Sequence, residues 1–258
     1  MNYIYTQNVY KISKLSNNNI YGCIKFYNFK LDCIKNRGYF IIMCGRNSIF
    51  SPRNKIKKEL KVDVWKNEKD YQPAYNVAPT QNSLVLVDNN KRIIHSMRWG
   101  FGFDSNRRPI FNARAETLNT KPTFKDLINK NRCIVISDGF YEWKRQDNHK
   151  IPYFVFHEQG KILPMAGLCK WDMNQKGEKK LVFTIITKEA RPSLQHIHHR
   201  EPVILSNQSM DRWIDVLNYD NDPQPLLYDN LNDIKSHQVS SFVNKTSNNA
   251  QECIVKVN

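Results

Sequence analysis

From residue 43 onward the apolar residues fall in short runs bounded by turn formers, and the runs have the length of strands rather than helices. "SLVLVD" (83–88) and "KRIIHSMRW" (91–99) flank Asn89-Asn90, which suits a hairpin turn. "RCIVIS" (132–137), "PYFVFH" (152–157), "ILPMAGL" (162–168) and "LVFTIIT" (181–187) are apolar or β-branched and are expected as core strands. Helical spacing is present in "TFKDLINK" (123–130), with Thr123 as a cap, and in "NQSMDRWIDVL" (207–217). In the second, Met210, Trp213, Ile214 and Leu217 share a face. Strands outnumber helices and do not alternate with them. The expected fold is therefore α+β and β-rich, with mainly antiparallel strands in a barrel-like core and a few flanking helices.

Two segments break this pattern. Residues 1–42 are about two-thirds Asn, Lys, Ile, Tyr and Phe, with one acid, Asp32, against six bases. They hold neither helical nor strand periodicity. This composition reads as translated upstream sequence from an A/T-rich genome, so residues 1–43 are expected to be an over-extended start or a segment removed before function. A transit peptide is the rival reading, although the segment carries a single Arg, Arg37, and few Ser. After Tyr219 the chain turns polar, so the expected division is a leader (1–43), a catalytic domain (44–217) and a partly ordered C-terminal extension (218–258).

Charge narrows the partners. The net charge is +15 and the pI about 9.5, and residues 43–258 keep 33 of the 39 bases and 23 of the 24 acids. A basic domain favours a polyanion, nucleic acid above all. The six cysteines (23, 33, 44, 133, 169 and 253) form no C-x-x-C pair and no disulfide framework. No run approaches the roughly 18 apolar residues of a membrane span. An intracellular protein is expected, in the cytoplasm or nucleoid if bacterial and in the nucleus if eukaryotic, without membrane, metal or cofactor.

Candidate chemistry is scattered. "FNARAET" (111–117) sets Asn112, Arg114 and Glu116 at every second position, one face of an extended strand, which a solvated strand face also explains. In "SDGFYEW" (137–143), Glu142 lies between Tyr141 and Trp143. Desolvation there would raise its pKa toward the range useful for proton transfer, while aromatic packing around an exposed Glu is the alternative. "LQHIHHREPVIL" (194–205) offers His196, His198 and His199. No acid or cysteine at ligand spacing completes a zinc set, so a single acid/base histidine ranks above a metal. "RWGFGF" (98–103) supplies Trp99 for stacking on a base, and "YNVAPTQ" (75–81) sets Asn76 and Pro79 in a rigid turn.

In order, Met43-Cys44-Gly45-Arg46, "YNVAPTQ", "RWGF", "NARAET", "DGFYEWK", "PYFVF", "AGL", "TIIT" and "IHHREPVIL" resemble the SOS-response-associated peptidase (SRAP) family of abasic-site processing proteins, from about residue 43 to 217. The resemblance implies a monomeric β-rich domain acting on abasic sites in single-stranded DNA. Its N-terminal cysteine links covalently, as a thiazolidine, to the ring-opened sugar. By motif, Cys44 would be the nucleophile. Asn112 and Arg114 would hold the opened sugar and its phosphate, and Glu142 and His198 would move protons. Arg46, Asn76, Pro79 and Trp99 would line the DNA path. Two features depart from the family. Arg200-Glu201-Pro202 stands where Arg-Met-Pro is usual, placing a negative charge beside a DNA-facing segment, and residues 1–43 leave Cys44 with an amide instead of an amine. Two other readings stay open: a cysteine autopeptidase built on Cys44, His198 and Asn112 that trims its own leader, and a non-covalent reader of damaged or modified DNA.

Overall fold

A computed structural model describes residues 45–103, 108–218, 222–229 and 231–257. The leader and Cys44 lie outside the described residues. Thirteen strands, β1 to β13, form two sheets. In the larger, β11 (Lys179–Glu189), β10 (Leu163–Met173), β7 (Arg132–Ser137), β4 (Asn82–Asp88) and β5 (Arg92–Trp99) follow one another in antiparallel pairs. A parallel pairing of Val182 with Arg98 and Phe183 with Trp99 then joins β11 to β5 and closes the five into a barrel. Closure removes the open edges that such apolar strands would otherwise expose. Ile134, Ile136, Leu86, Ile94, Ala166 and Ile186 fill one cluster, with Val85, Val135, Met165, Phe183 and Ile185 in another. Both faces of the central strands are thus buried, which is why they read as continuous apolar runs. The expected β-rich α+β fold with a barrel core is what the structure has.

β11 also organises the site. Beyond β5, its edge takes β6 (Asn112–Arg114) in parallel, Ile185 opposite Asn112 and Thr187 opposite Arg114. Its other edge takes β12 (Arg200–Pro202), with Lys188 opposite Glu201 and Glu189 opposite Arg200. The smaller sheet runs β13 (Ile234–Gln238), β9 (His149–His157), β8 (Gly139–Gln146), β1 (Asn47–Ile49), β3 (Ala74–Val77), all antiparallel. β2 (Val64–Trp65) lies alongside β5. Gly139 is required where β8 begins, because a Cβ there would lie 2.3 Å from the Phe154 ring and 2.7 Å from the Val155 carbonyl oxygen.

Among the described residues three α-helices flank the sheets: α1 (Arg53–Leu60), the single turn α2 (Pro192–Gln195) and α3 (Asn207–Ile214). Ser206 caps α3 by accepting the Ser209 N–H at 3.2 Å. Met210, Trp213 and Ile214 are buried as their spacing predicts, but Leu217, past the helix end, is half exposed. "TFKDLINK" is not a regular helix. It forms successive turns with mixed i→i−3 and i→i−4 bonds that press Phe124 and Ile128 into the core.

No structural break marks residue 217. β13 pairs with β9 across five residues, and Val239, Val243 and Cys253 are buried against Tyr141 and Phe154. The polar composition that suggested a loose tail instead supplies carbonyl and amide groups to anchors in the sheet. Asn76 donates to the carbonyls of Val243, Lys245 and Asn248 at 2.8–3.1 Å, and Asn249 accepts the Tyr75 and Asn76 N–H groups.

Candidate functional site

Three strands deliver the polar residues. Glu142 stands on β8 with only 5% of its surface exposed, opposite Tyr153 of β9. His198 sits in the loop between α2 and β12. Both line a narrow crevice with Phe140, Val155, Leu194, Ile197 and Arg200. The apolar walls make this a low-dielectric place for a carboxylate and an imidazole, where each interaction is stronger than in water. Burial pulls the His198 pKa below its usual value, with lesser opposition from the Arg200 backbone.

The two ring nitrogens of His198 have different surroundings. The Arg200 backbone engages His198 Nδ1 on both sides, its N–H at 3.1 Å and its carbonyl oxygen at 3.2 Å, so this nitrogen is committed to the fold in either neutral tautomer. Nε2 is buried and has no hydrogen-bond partner. It is a titratable nitrogen held in reserve in the crevice that Glu142 also lines, free to give or take the proton that opening a sugar hemiacetal moves.

Arg200 connects this crevice to β6. Its guanidinium grips both oxygens of Glu116 at 2.6 and 3.0 Å and donates to the Thr187 carbonyl at 2.7 Å. Arg200 Nε is buried and without a partner. Glu116 was expected to share a strand face with Asn112 and Arg114. In the structure it occupies a 3-10 turn (Ala115–Thr117) just past β6 and still reaches across to Arg200. Arg200 lowers its carboxyl pKa, mainly through these hydrogen bonds. Arg114, one step earlier on β6, is exposed and available to a phosphate. Asn112 lies two residue pairs along β11 from Arg114.

The first described residues run beside β8. Gly45 is buried, and the Arg46 carbonyl accepts the Tyr141 N–H at 3.1 Å, next in sequence to Glu142. Asp138 fixes the exit of β1 by accepting the Phe50 and Ser51 N–H groups at 2.6 and 2.7 Å. The sequence marked Asp138 as a turn residue only.

Several expectations are corrected. Trp99 offers no stacking face: it is fully buried at the barrel seam, 5.9 Å from the Phe183 ring, and its Nε1–H donates to the Phe111 carbonyl. Asn76, 2% exposed, is an internal clamp for the C-terminal segment and does not line a DNA path. It also accepts from Arg46 at 2.7 Å. Arg46 spends its other bonds on the Val243 and Asn244 carbonyls and lies 5.6 Å over Trp143, so its principal contacts are internal. Pro79 is half-buried at the second position of a turn closed by the Gln81 N–H on the Ala78 carbonyl. The next residue, Thr80, carries a φ of +76°, strained for a β-branched side chain. Glu201 does not face DNA. It is 1% exposed, bonded to Arg191 at 2.8 Å and cross-strand from Lys188. Burial lowers the Lys188 pKa to about 8, against the attraction of Glu201. Among the described residues no three of His, Cys, Asp and Glu converge on a metal-binding geometry, and no helix is long and apolar enough to cross a membrane.

The profile of the SOS response associated peptidase (SRAP) family matches residues 43–246. The chain belongs to the SRAP family. Among SRAP relatives it is 38% identical over 223 residues to the abasic site processing protein YoqW of Bacillus subtilis, covering 82% of this chain and 99% of that protein. It is 31% identical over 231 residues to the abasic site processing protein HMCES of Gallus gallus, covering 75% of this chain and 69% of that one. A crystal structure of a protein from Bacteroides thetaiotaomicron shares the fold at a TM-score of 0.69 and 24% identity, covering 83% of this chain and all of that one.

Proposed function

We propose that this protein processes abasic sites in single-stranded DNA as part of the DNA-damage response, forming a covalent thiazolidine with Cys44 once no residue precedes it. One observation carries the reading. A buried carboxylate, Glu142, and a histidine with its Nε2 unengaged, His198, line one crevice, and the Arg46 carbonyl is bonded to the residue next to Glu142. Support comes also from the relatives, named for abasic-site processing, and from the family match, which starts at Met43.

The chemistry runs as follows. His198 passes the proton that opens the sugar's hemiacetal and exposes its aldehyde. The α-amine of Cys44, with an ordinary pKa of about 7.7–8.0, is partly unprotonated at neutral pH, unlike a lysine near about 10.4. It adds to the aldehyde carbon and loses one water, giving an imine, with Glu142 taking the amine proton and returning it to the departing hydroxyl. The thiol then adds across the imine: a carbon–sulfur bond forms and the nitrogen gains the proton. Sulfur and nitrogen sit on adjacent carbons, so ring closure has the advantage of high effective molarity. Asn112 and Arg114 hold the sugar and its phosphate.

The test is a denaturing gel after incubation with an abasic oligonucleotide. The proposal expects a heat-stable protein–DNA band that Cys44→Ala abolishes. The same gel separates the non-covalent reader, which leaves no such band. The family's name keeps a peptidase reading in view. In that reading Cys44 cuts the preceding residues, and Cys44→Ala protein would retain its leader while wild type loses it.

A further inference from the structure

The buried Trp99 leaves the site without an aromatic platform on that strand, and the structure offers one elsewhere. The β10–β11 hairpin carries Trp171 and Met173, 64% and 59% exposed, on one face. With Asp172 and Lys179 they line an open depression of about 340 Å³. Trp171 is cross-strand from Leu181 and Met173 from Lys179, so two apolar side chains and a cation share that face.

The charge around them is mostly positive; Lys170 pairs with Asp172 at 3.8 Å, and two other lysines are uncommitted. Among the described residues neither Lys176, in the hairpin turn, nor Lys179 has a carboxylate partner. The two acids of the hairpin are engaged within the fold. Asp172 accepts the Gly102 and Phe103 N–H groups, and Glu178 accepts the Asn174 amide. On the reverse face Lys170 lies over Phe101 and Lys180 over Phe103, beside Arg98. A two-stranded ribbon is thin enough that these cations act within a Debye length of about 8 Å.

β11 also sets the distance between the hairpin and the site. Between the hairpin and the site Phe183, Ile185 and Thr187 of β11 are buried in the core, so the strand fixes a separation and does not itself offer a path. Arg114 and Arg200 are placed beside this far end of the strand, at Thr187 and Glu189. From Leu181 to Thr187 the strand rises on the order of 20 Å. That is about six nucleotides at a stacked spacing of roughly 3.4 Å.

We infer that the Trp171–Met173 face of the β10–β11 hairpin is a stacking platform for unpaired bases of single-stranded DNA, several nucleotides from the reaction centre, with Lys176 and Lys179 on the phosphates. The inference rests on the proposed action on single-stranded DNA. An exposed indole takes any base, and cations at its rim fit a polyanion better than an apolar protein partner.

The test uses the full chain and unmodified oligodeoxythymidines of about six and about twenty nucleotides, with affinity read by fluorescence anisotropy. Trp171→Ala should weaken binding of the long oligomer at least fivefold, Trp171→Phe should restore most of it, and the deficit should shrink on the short one. Lys176→Gln with Lys179→Gln should flatten the salt dependence. Equal affinity of Trp171→Ala and wild type for the long oligomer overturns the inference. So does a deficit that ignores oligomer length, or a Trp171-dependent dimer whose loss leaves DNA affinity unchanged. These probes contain no abasic site, so the platform stands or falls separately from the Cys44 chemistry. Missing crosslinks with an intact Trp171 effect would fault the proposed reaction alone.

Discussion

Arg200 holds His198 through its own backbone: its N–H donates to Nδ1 at 3.1 Å and its carbonyl lies 3.2 Å from the same nitrogen. The Arg200 side chain is in turn fixed by Glu116 and Thr187. Orientation of the histidine therefore passes from "NARAET" through "HHREP" without Glu116 touching the crevice.

Glu116→Gln tests that relay. The carboxylate is nearly half exposed, so its loss should cost no more than about 1 kcal/mol of stability. Crosslinking should nevertheless slow severalfold, since Arg200 loses its bidentate partner. Single-turnover rates with an abasic oligonucleotide, beside a melting curve, check both parts. Equal rates with equal stability would dismiss the relay.

Trp99 and Asn76 should behave as structural residues. Trp99→Ala removes a fully buried indole from the barrel seam and should cost about 3–5 kcal/mol. Asn76→Ala removes the amide's three bonds to the C-terminal carbonyls and one acceptor of Arg46, and should cost roughly 1–3 kcal/mol. Urea unfolding measures each.

Glu201 is the anion of a buried set with Arg191 and Lys188. Glu201→Met leaves two cations without it and should destabilise by about 3–5 kcal/mol. Replacing Lys188 and Glu201 together by Met should recover much of that loss, because removing both charges also removes their desolvation cost. Comparing the single and double variants by urea unfolding measures the coupling.

Acid should act partly through His198. Its pKa is depressed chiefly by burial, so the folded state binds fewer protons than the unfolded one below the ordinary value of about 6.5. Its contribution to stability is complete above that pH and is lost as pH falls through the window toward the depressed pKa. Stability of His198→Gln should drop less than wild type between about pH 7 and pH 5. Parallel losses in the two proteins would show that His198 does not titrate in this way.

The barrel strands were legible because both their faces are buried, as in "RCIVIS", which became β7 residue for residue. Helix α1 was not, since Ile56 and Leu60 are its only buried residues among charges. Pairing "FYEW" with "IHH" followed from the family resemblance, because the two meet only through the packing of β8 against the α2–β12 loop. Side-chain direction was the main thing hidden. Nothing local says that Trp99 turns into the seam while Trp171 turns out, as barrel closure through β11 decides the first and the unpartnered hairpin tip the second. The buried role of Glu201 was hidden for the same reason, its partners Arg191 and Lys188 being set by strand register.

The central claim is that Cys44, as the first residue, reacts with an abasic site. Intact mass of the purified protein, alone and after incubation with abasic single-stranded DNA, tests it most directly. The account predicts a chain beginning at Cys44 that gains the mass of the oligonucleotide less one water. An adduct on protein that retains residues 1–43, or one undiminished by Cys44→Ala, would contradict it.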